Sequence, residues 1–272
     1  MNQPSSQHDA PPPFTLADTR TFLVTGPVDT YTVSIALPRC QEPAAGFPVL
    51  YLLDANAGFA TVVETLRRLS RRPDATGVGP AIVVGIGHHT DALYDSAKRH
   101  RDFSDAGAAA FLQLIEEQIK PLVQQHASVD TRRQILAGHS LSGFFSLWTL
   151  ANQPETFQSY VAISPSLWSA PGLVAQLQSR QFTTPLPKVF LAVGEWEESL
   201  APWQTGQTGS DVIQDRRHER KMVSQLLALG EQLEQQLGSN QIQYTVFPQE
   251  DHASVFGIGI SRAMRMLLTP GA

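Results

Sequence analysis

Short apolar runs recur along this chain, separated by longer stretches in which apolar positions return every three or four residues. Residues 21–25 and 31–37 are strand-like and flank Gly26, Pro27 and Asp29, which predicts an antiparallel hairpin. Val49-Leu50-Tyr51-Leu52-Leu53 is an unbroken apolar run that stops at Asp54. Runs of this kind suit strands buried on both faces of a mostly parallel sheet. Residues 81–86 and 188–193 repeat the style, and 134–137 and 160–163 are shorter versions. Residues 241–247 alternate more, as an edge strand does.

Between these runs, Phe111, Leu112, Ile115, Ile119, Leu122 and Val123 share one helical face. Met222, Leu226, Leu229, Leu233 and Leu237 share another, with Gly238 placed to stop the helix. Strand and helix patterns alternate from about residue 48 onward, which predicts an α/β architecture with parallel strands and right-handed crossovers. Residues 1–13 are polar and proline-rich without an apolar core, so 1–19 is expected to be a disordered arm and 20–272 one domain. That leader, and the lack of any run long enough to span a bilayer, point to a cytoplasmic protein with no membrane partner.

Composition narrows the function classes. The net charge of −5 argues against nucleic acid as a partner, because phosphate binding needs a basic surface. The single cysteine, Cys40, excludes an intrachain disulfide. Gly85-Ile86-Gly87 follows a strand but lacks the third glycine and the helix of a dinucleotide loop. His88 and His89 are adjacent, so their side chains do not aim at one metal ion. No cofactor and no metal are expected. The basic stretch from Arg216 to Lys221 opens an amphipathic helix in this pattern and reads as a solvated face.

The chemistry lies in residues 134–148, where a short strand runs into Gly138-His139-Ser140-Leu141-Ser142-Gly143 and a helical pattern follows. A serine at a tight strand-to-helix turn is pushed above the sheet edge, where a base can reach its hydroxyl. The helix start behind it offers backbone N–H groups to an oxyanion. Ser142 stands where the G-x-S-x-G pattern has its second glycine. The partners of such a serine follow in the order acid, then histidine. Gly194-Glu195-Trp196-Glu197-Glu198 follows the strand at 188–193, and His252 follows the strand at 241–247. Ser140 is the expected nucleophile and His252 its general base.

With these segments placed, the chain resembles the esterase D-like family of α/β-hydrolases, most closely its ferric-siderophore esterase branch. Residues 51–57, Arg101-Asp102-Phe103, Ile163-Ser164-Pro165-Ser166-Leu167-Trp168 and Val193 to Glu197 carry the resemblance with Ser140 and His252. It implies an α/β-hydrolase fold, a mostly parallel sheet with an N-terminal antiparallel hairpin and helices on both faces. It implies a serine ester hydrolase working through an acyl-enzyme on catecholate trilactones, a small-molecule substrate from iron acquisition. A carboxylesterase for feruloyl or short acyl esters and an inactive binding protein are the alternatives. The family's oxyanion donors correspond to the backbone N–H groups of Asn56 and Leu141, within Asp54-Ala55-Asn56 where the family has Asp-Gly-Asn. Glu197 is the nominated acid by its spacing from Gly194, with Glu195, Glu198, Asp251 or a bare serine–histidine dyad as alternatives. Trp168 and Trp196, joined by Trp203, are expected to line the cleft. Arg99 and Arg101, beyond the strand at 81–86, are expected to attract an anionic substrate.

Overall fold

The apolar runs form one eight-stranded sheet in the computed structural model, which describes residues 15–269. The strands are β1 (Thr19–Thr25), β2 (Thr30–Ala36), β3 (Phe47–Leu53), β4 (Ile82–His88), β5 (Val129–His139), β6 (Ser159–Ile163), β7 (Lys188–Gly194) and β8 (Ile242–Phe247). They lie in the order β1-β2-β4-β3-β5-β6-β7-β8. The β1–β2 hairpin is antiparallel and joins β4 antiparallel, and all other pairs are parallel. β8 is an edge strand, as its alternation predicts.

The helices are α1 (Ala55–Ser70), α2 (Pro73–Thr76), α3 (Ser96–Phe103), α4 (Asp105–Leu114), α5 (Lys120–His126), α6 (Leu141–Asn152), α7 (Pro171–Ser179), α8 (Ser210–Arg220), α9 (Met222–Leu237) and α10 (Val255–Leu267). Successive strand residues face opposite sides of the sheet, so a run that is apolar at every position feeds two cores. Val49, Tyr51 and Leu53 of β3 join the core under α4, α6 and α9, while Leu50 and Leu52 join the core under α1 and α10. β7 divides in the same way, with Val189, Leu191 and Val193 on one side and Phe190 and Ala192 on the other. Among the described residues, no helix is long and apolar enough to cross a membrane.

Three local expectations need correction. The stripe from Phe111 to Val123 is buried as expected, but a π-helical turn, Ile115–Ile119, separates α4 from α5. Pro121 follows two residues after it, in the first turn of α5. A proline has no N–H to donate and crowds the carbonyl four residues back, and a wider turn absorbs both effects. Residues 216–220 close α8 rather than opening the next helix, because Lys221 takes a left-handed conformation (φ 48°) and α9 begins at Met222. Of the arm expected at 1–19, residues 1–14 lie outside the described residues. Thr19 already pairs with Ala36, and Leu16 packs against the α1/α10 core, so residues 16 and 19 belong to the domain rather than to an arm.

The chain leaves β3 to one side for β4, then returns to the other side of β3 for β5. Loops after β3 and β5 therefore diverge and open a crevice at the carboxyl ends of the strands. One edge of that crevice rests on a buried ionic cluster. Asp102 of α3 accepts hydrogen bonds from His88 Nε2 (2.8 Å), Tyr31 Oη (2.8 Å) and Arg101 Nε (2.6 Å). Burial alone would raise the Asp102 carboxyl, but these donors outweigh it and hold it down at about 2.

Removing one partner from such a cluster leaves buried polar groups uncompensated, so Asp102→Asn should cost about 3 kcal/mol in denaturant unfolding. A depressed carboxyl contributes stability above its unfolded value of 3.8, and that contribution is lost as pH falls toward about 2. The variant should accordingly show a flatter stability profile between about pH 4 and 2 than the parent. Equal stability of the two proteins at neutral pH would show that the cluster is not a brace.

Candidate active site

β5 ends at His139 and α6 begins at Leu141, so Ser140 alone makes the turn between them. Its backbone sits at φ 60°, ψ −118°, outside the ordinary wells of a non-glycine residue. The turn is so tight that a Cβ at Gly138 would lie 2.1 Å from the Ser142 carbonyl oxygen. Ser142, the departure from the motif, is absorbed by its hydroxyl. That hydroxyl accepts from His139 N–H (3.0 Å) and donates to His139 O (2.9 Å), closing the turn on itself.

The loop after β6 supports this turn. Ser140 N–H donates to Ile163 O (2.9 Å), and Ser166 N–H donates to Ser140 O (3.2 Å). The Ser140 hydroxyl lies 3.4 Å from that of Ser166. Among the described residues it has no hydrogen bond to His252, although both side chains line the same two cavities. A longer separation of this kind is common before substrate binds, and it tightens in the reacting complex.

Of the four carboxylates considered, Glu197 is the one in contact with the imidazole. His252 Nδ1 donates to Glu197 Oε2 at 2.6 Å. The other oxygen, Oε1, accepts from Ser164 Oγ (2.5 Å) and Gly194 N–H (2.8 Å). Burial opposes ionisation of Glu197, but the hydrogen bond and charge of His252, then Ser164 and Gly194 N–H, hold its carboxyl below the usual range. The rivals are engaged elsewhere. Glu195 accepts from Gln249 N–H (2.8 Å), Glu198 from Ser224 N–H (2.7 Å), and Asp251 from Ala253 and Ser254 N–H (both 2.9 Å). Gly194 lets the two loops meet, since a Cβ there would lie 2.4 Å from Glu250 O.

His139 was read from the sequence only as a spacer in the motif. Its ring packs on His252 (centroids 4.7 Å apart) and on Phe256, and its Nε2 donates to His252 O at 2.7 Å. Burial, reinforced by the nearby His252, lowers His139 to about 4, so it is neutral at pH 7 and fixes the His252 backbone without adding charge. Ser164, Ser166 and His139 were missed as working residues because each acts through a neighbour distant in sequence.

Asn56 and Leu141 lie in the first turns of α1 and α6, where backbone N–H groups have no partner within the helix. The Asn56 side chain has a separate task, donating to His88 O (3.1 Å) and Thr90 O (3.0 Å) beyond β4. Gly87 makes room for it, because a Cβ there would sit 2.0 Å from Asn56 Oδ1. The pair Gly85 and Gly87 therefore serves the packing of α1 on β4. In the Asp54-Ala55-Asn56 turn the positive φ (54°) falls on Asp54, and Ala55 is already helical, so the missing family glycine costs little.

The two expected substrate arginines behave differently from the expectation. Arg101 does not line either cavity beside Ser140; its guanidinium is spent on Asp102, Asp29 (3.0 Å) and Tyr31. Arg99 does line one cavity, but it forms a bidentate pair with Asp54 (2.8 and 2.8 Å), which neutralises its charge and clamps the turn bearing Asn56. Trp168 and Trp196 both line the second cavity, and Trp203 packs edge-on against Trp196.

Ser140 thus stands between two hollows. One, of about 380 Å³, is walled by Leu53, Tyr94, Arg99 and Phe256. The other, of about 230 Å³, is walled by Trp168, Trp196, Arg216, Arg217 and Arg220. The run that the sequence pattern consigned to solvent is therefore beside the nucleophile. A larger hollow of about 560 Å³, bounded by Arg132, Pro154 and Lys188, opens at the amino ends of β5 to β7, the opposite end of the sheet.

The model of the family described as Putative esterase matches residues 27–246. The chain belongs to this family. It is 35% identical over 266 residues to the ferri-bacillibactin esterase BesA of Bacillus subtilis, covering 89% of this chain and 86% of that protein. It is 27% identical to the siderophore triacetylfusarinine C esterase of Aspergillus fumigatus, covering 95% and 96% of the two chains. The crystal structure of the BES protein from Bacillus cereus superposes with a TM-score of 0.79 at 26% identity, covering 96% of this chain and 99% of that one. The chain is an ester hydrolase with the α/β-hydrolase fold. The alternative of an inactive binding protein falls away.

If Arg99 is a clamp on the Asp54 turn, Arg99→Ala should lower kcat for neutral 4-nitrophenyl butyrate about 10–10²-fold, as displaced catalytic groups do. An anionic ester should lose as much. A loss confined to the anionic ester would return Arg99 to substrate recognition.

Proposed function

We propose that this esterase hydrolyses siderophore esters, with Ser140 as nucleophile, His252 as general base and acid, and Glu197 as the carboxylate that orients His252. The observation that carries the catalytic assignment is the 2.6 Å contact of Glu197 with His252 Nδ1, in a loop whose imidazole shares two cavities with Ser140. The substrate class rests on the similarity, across most of both chains, to enzymes named for ferri-bacillibactin and triacetylfusarinine C.

The chemistry follows from the geometry. Glu197 fixes the tautomer with hydrogen on Nδ1, which leaves Nε2 of His252 free to take the Ser140 proton. Ser140 Oγ bonds to the ester carbonyl carbon, and the carbonyl π electrons move to oxygen. That oxyanion is received by the backbone N–H groups of Asn56 and Leu141 at two helix starts, where the dipoles favour negative charge. Collapse of the intermediate breaks the bond to the alkoxide, which leaves with the proton from His252. Water then repeats the sequence on the acyl-enzyme and releases the acid. The charge on the imidazolium is met by Glu197, whose depressed carboxyl is ionised at neutral pH.

Ser140→Ala and His252→Ala should each reduce kcat by about 10⁴-fold or more, and the double variant should lose little beyond either. Glu197→Gln should cost less, about 10²–10⁴-fold. Release of monomer from a ferric catecholate trilactone and a ferric hydroxamate triester, followed by chromatography, tests the substrate class. Turnover of 4-nitrophenyl butyrate with no turnover of either siderophore would make the enzyme a general carboxylesterase. Full activity of Ser140→Ala on all three would overturn the nucleophile.

A further inference from the structure

The second hollow beside Ser140 has an unusual charge pattern. Arg216, Arg217 and Arg220 come from the last turns of α8 and face it together with Trp168 and Trp196. Among the described residues none of the three forms a salt bridge, whereas Lys98, Arg99 and Arg101 on α3 are all paired with carboxylates. Asp215 and Glu219 lie on α8 as well, yet neither pairs with these arginines. The carboxylate that does line the hollow, Glu197, is committed to His252, Ser164 and Gly194.

Two of the three guanidiniums, those of Arg217 and Arg220, are held in place, while Arg216 is exposed beside them. Arg217 donates from Nη1 to Ser199 O (2.6 Å) and Gln204 Oε1 (2.8 Å), both neutral acceptors, so no carboxylate is bound directly to its guanidinium among the described residues. Arg220 lies over the face of Trp168, with its guanidinium carbon 4.3 Å from the ring centroid. Burial, then the neighbouring Arg216, disfavours the charged form of Arg220, while for Arg217 burial outweighs the opposing fields of Asp251 and Glu197. Trp196 is fixed edge-on by Trp203 at 4.6 Å. Preorganised like charges beside two indoles repel one another until an anion arrives, and a flat anion can stack on the indoles while the planar forks bind its oxygens.

We infer that the α8 arginines and the two tryptophans form an anion-binding aryl subsite, which takes a negatively charged aromatic group of the substrate next to the Ser140 hydroxyl. This deepens the proposed function, resting on it for Ser140 as the reacting centre. The first hollow, with Arg99 neutralised by Asp54 and walls of Leu53, Tyr94 and Phe256, is left for the less charged part of the ester. Discrimination between charged and neutral aromatic esters then resides in a helix remote in sequence from the catalytic residues.

The test uses binding alone, so it stands apart from turnover. Calorimetric titration compares 2,3-dihydroxybenzoate with its uncharged amide, 2,3-dihydroxybenzamide, on the wild-type protein and on Arg216→Gln/Arg220→Gln. A third protein, Arg216→Lys/Arg220→Lys, keeps the charge without the planar fork, and thermal melting of each checks that it is folded. The wild type should bind the acid about tenfold or more tighter than the amide, as expected for charge-assisted hydrogen bonds. That preference should disappear in the glutamine variant, survive in part in the lysine variant, and shrink as salt is raised. Equal binding of acid and amide by the wild type, or binding of neither, would overturn the subsite. So would a preference that persists in the folded glutamine variant. Failure of the hydrolysis proposal would instead appear as retained turnover in Ser140→Ala, whatever these titrations show.

Discussion

The backbone of Ser140 is held at φ 60°, ψ −118°, and the rest of the site is organised around keeping it there. Sparsely populated conformations of this kind cost about 1–3 kcal/mol and persist only where the surroundings over-determine them. Here the loop after β6 does so from both sides, through Ile163 O on Ser140 N–H and Ser166 N–H on Ser140 O. The same loop reaches Glu197 through the Ser164 hydroxyl. Nucleophile and acid, which lie on loops two strands apart, thus share one support. The constraint also explains the glycines that matter, since Gly138 lets the turn close and Gly194 lets the loop bearing His252 approach β7.

The imidazole has two tethers of different kinds. Glu197 holds the side chain, fixing orientation and tautomer, and His139 holds the backbone through its Nε2–H. A charged His139 would repel the imidazolium formed during reaction, and its depressed pKa of about 4 removes that conflict at neutral pH. A buried, uncharged donor can therefore sit against the base without opposing its protonation.

Charge around the crevice is divided by function. On α3 Lys98, Arg99 and Arg101 each have an acidic partner outside the helix, so that helix ties the start of β2 and the Asp54 turn together. On α8 the arginines form no salt bridge among the described residues and line the hollow beside the reacting serine. A net charge of −5 for the whole chain is compatible with a locally positive hollow, because low-dielectric walls focus the field of nearby charges.

Local pattern determined much of this protein. Unbroken apolar runs specified the central strands and the 3.6-residue repeat the long helices, because burial on both sheet faces or on one helix stripe leaves its pattern in the sequence. Strand-to-helix turns left their mark as well, so Ser140, Glu197 and His252 could be nominated by order and spacing. What tertiary structure decided were pairings between elements far apart in sequence. Arg99 and Arg101 looked like a cationic patch until Asp54 and Asp29 were brought against them, while Arg216 to Arg220 looked solvated until α8 was laid beside the site. Ser164, Ser166 and His139 became meaningful only when the β5, β6 and β8 loops converged. The physical reason is that a charge or a hydroxyl carries no periodic signature, and its role is fixed by the partner that folding places within a few ångströms.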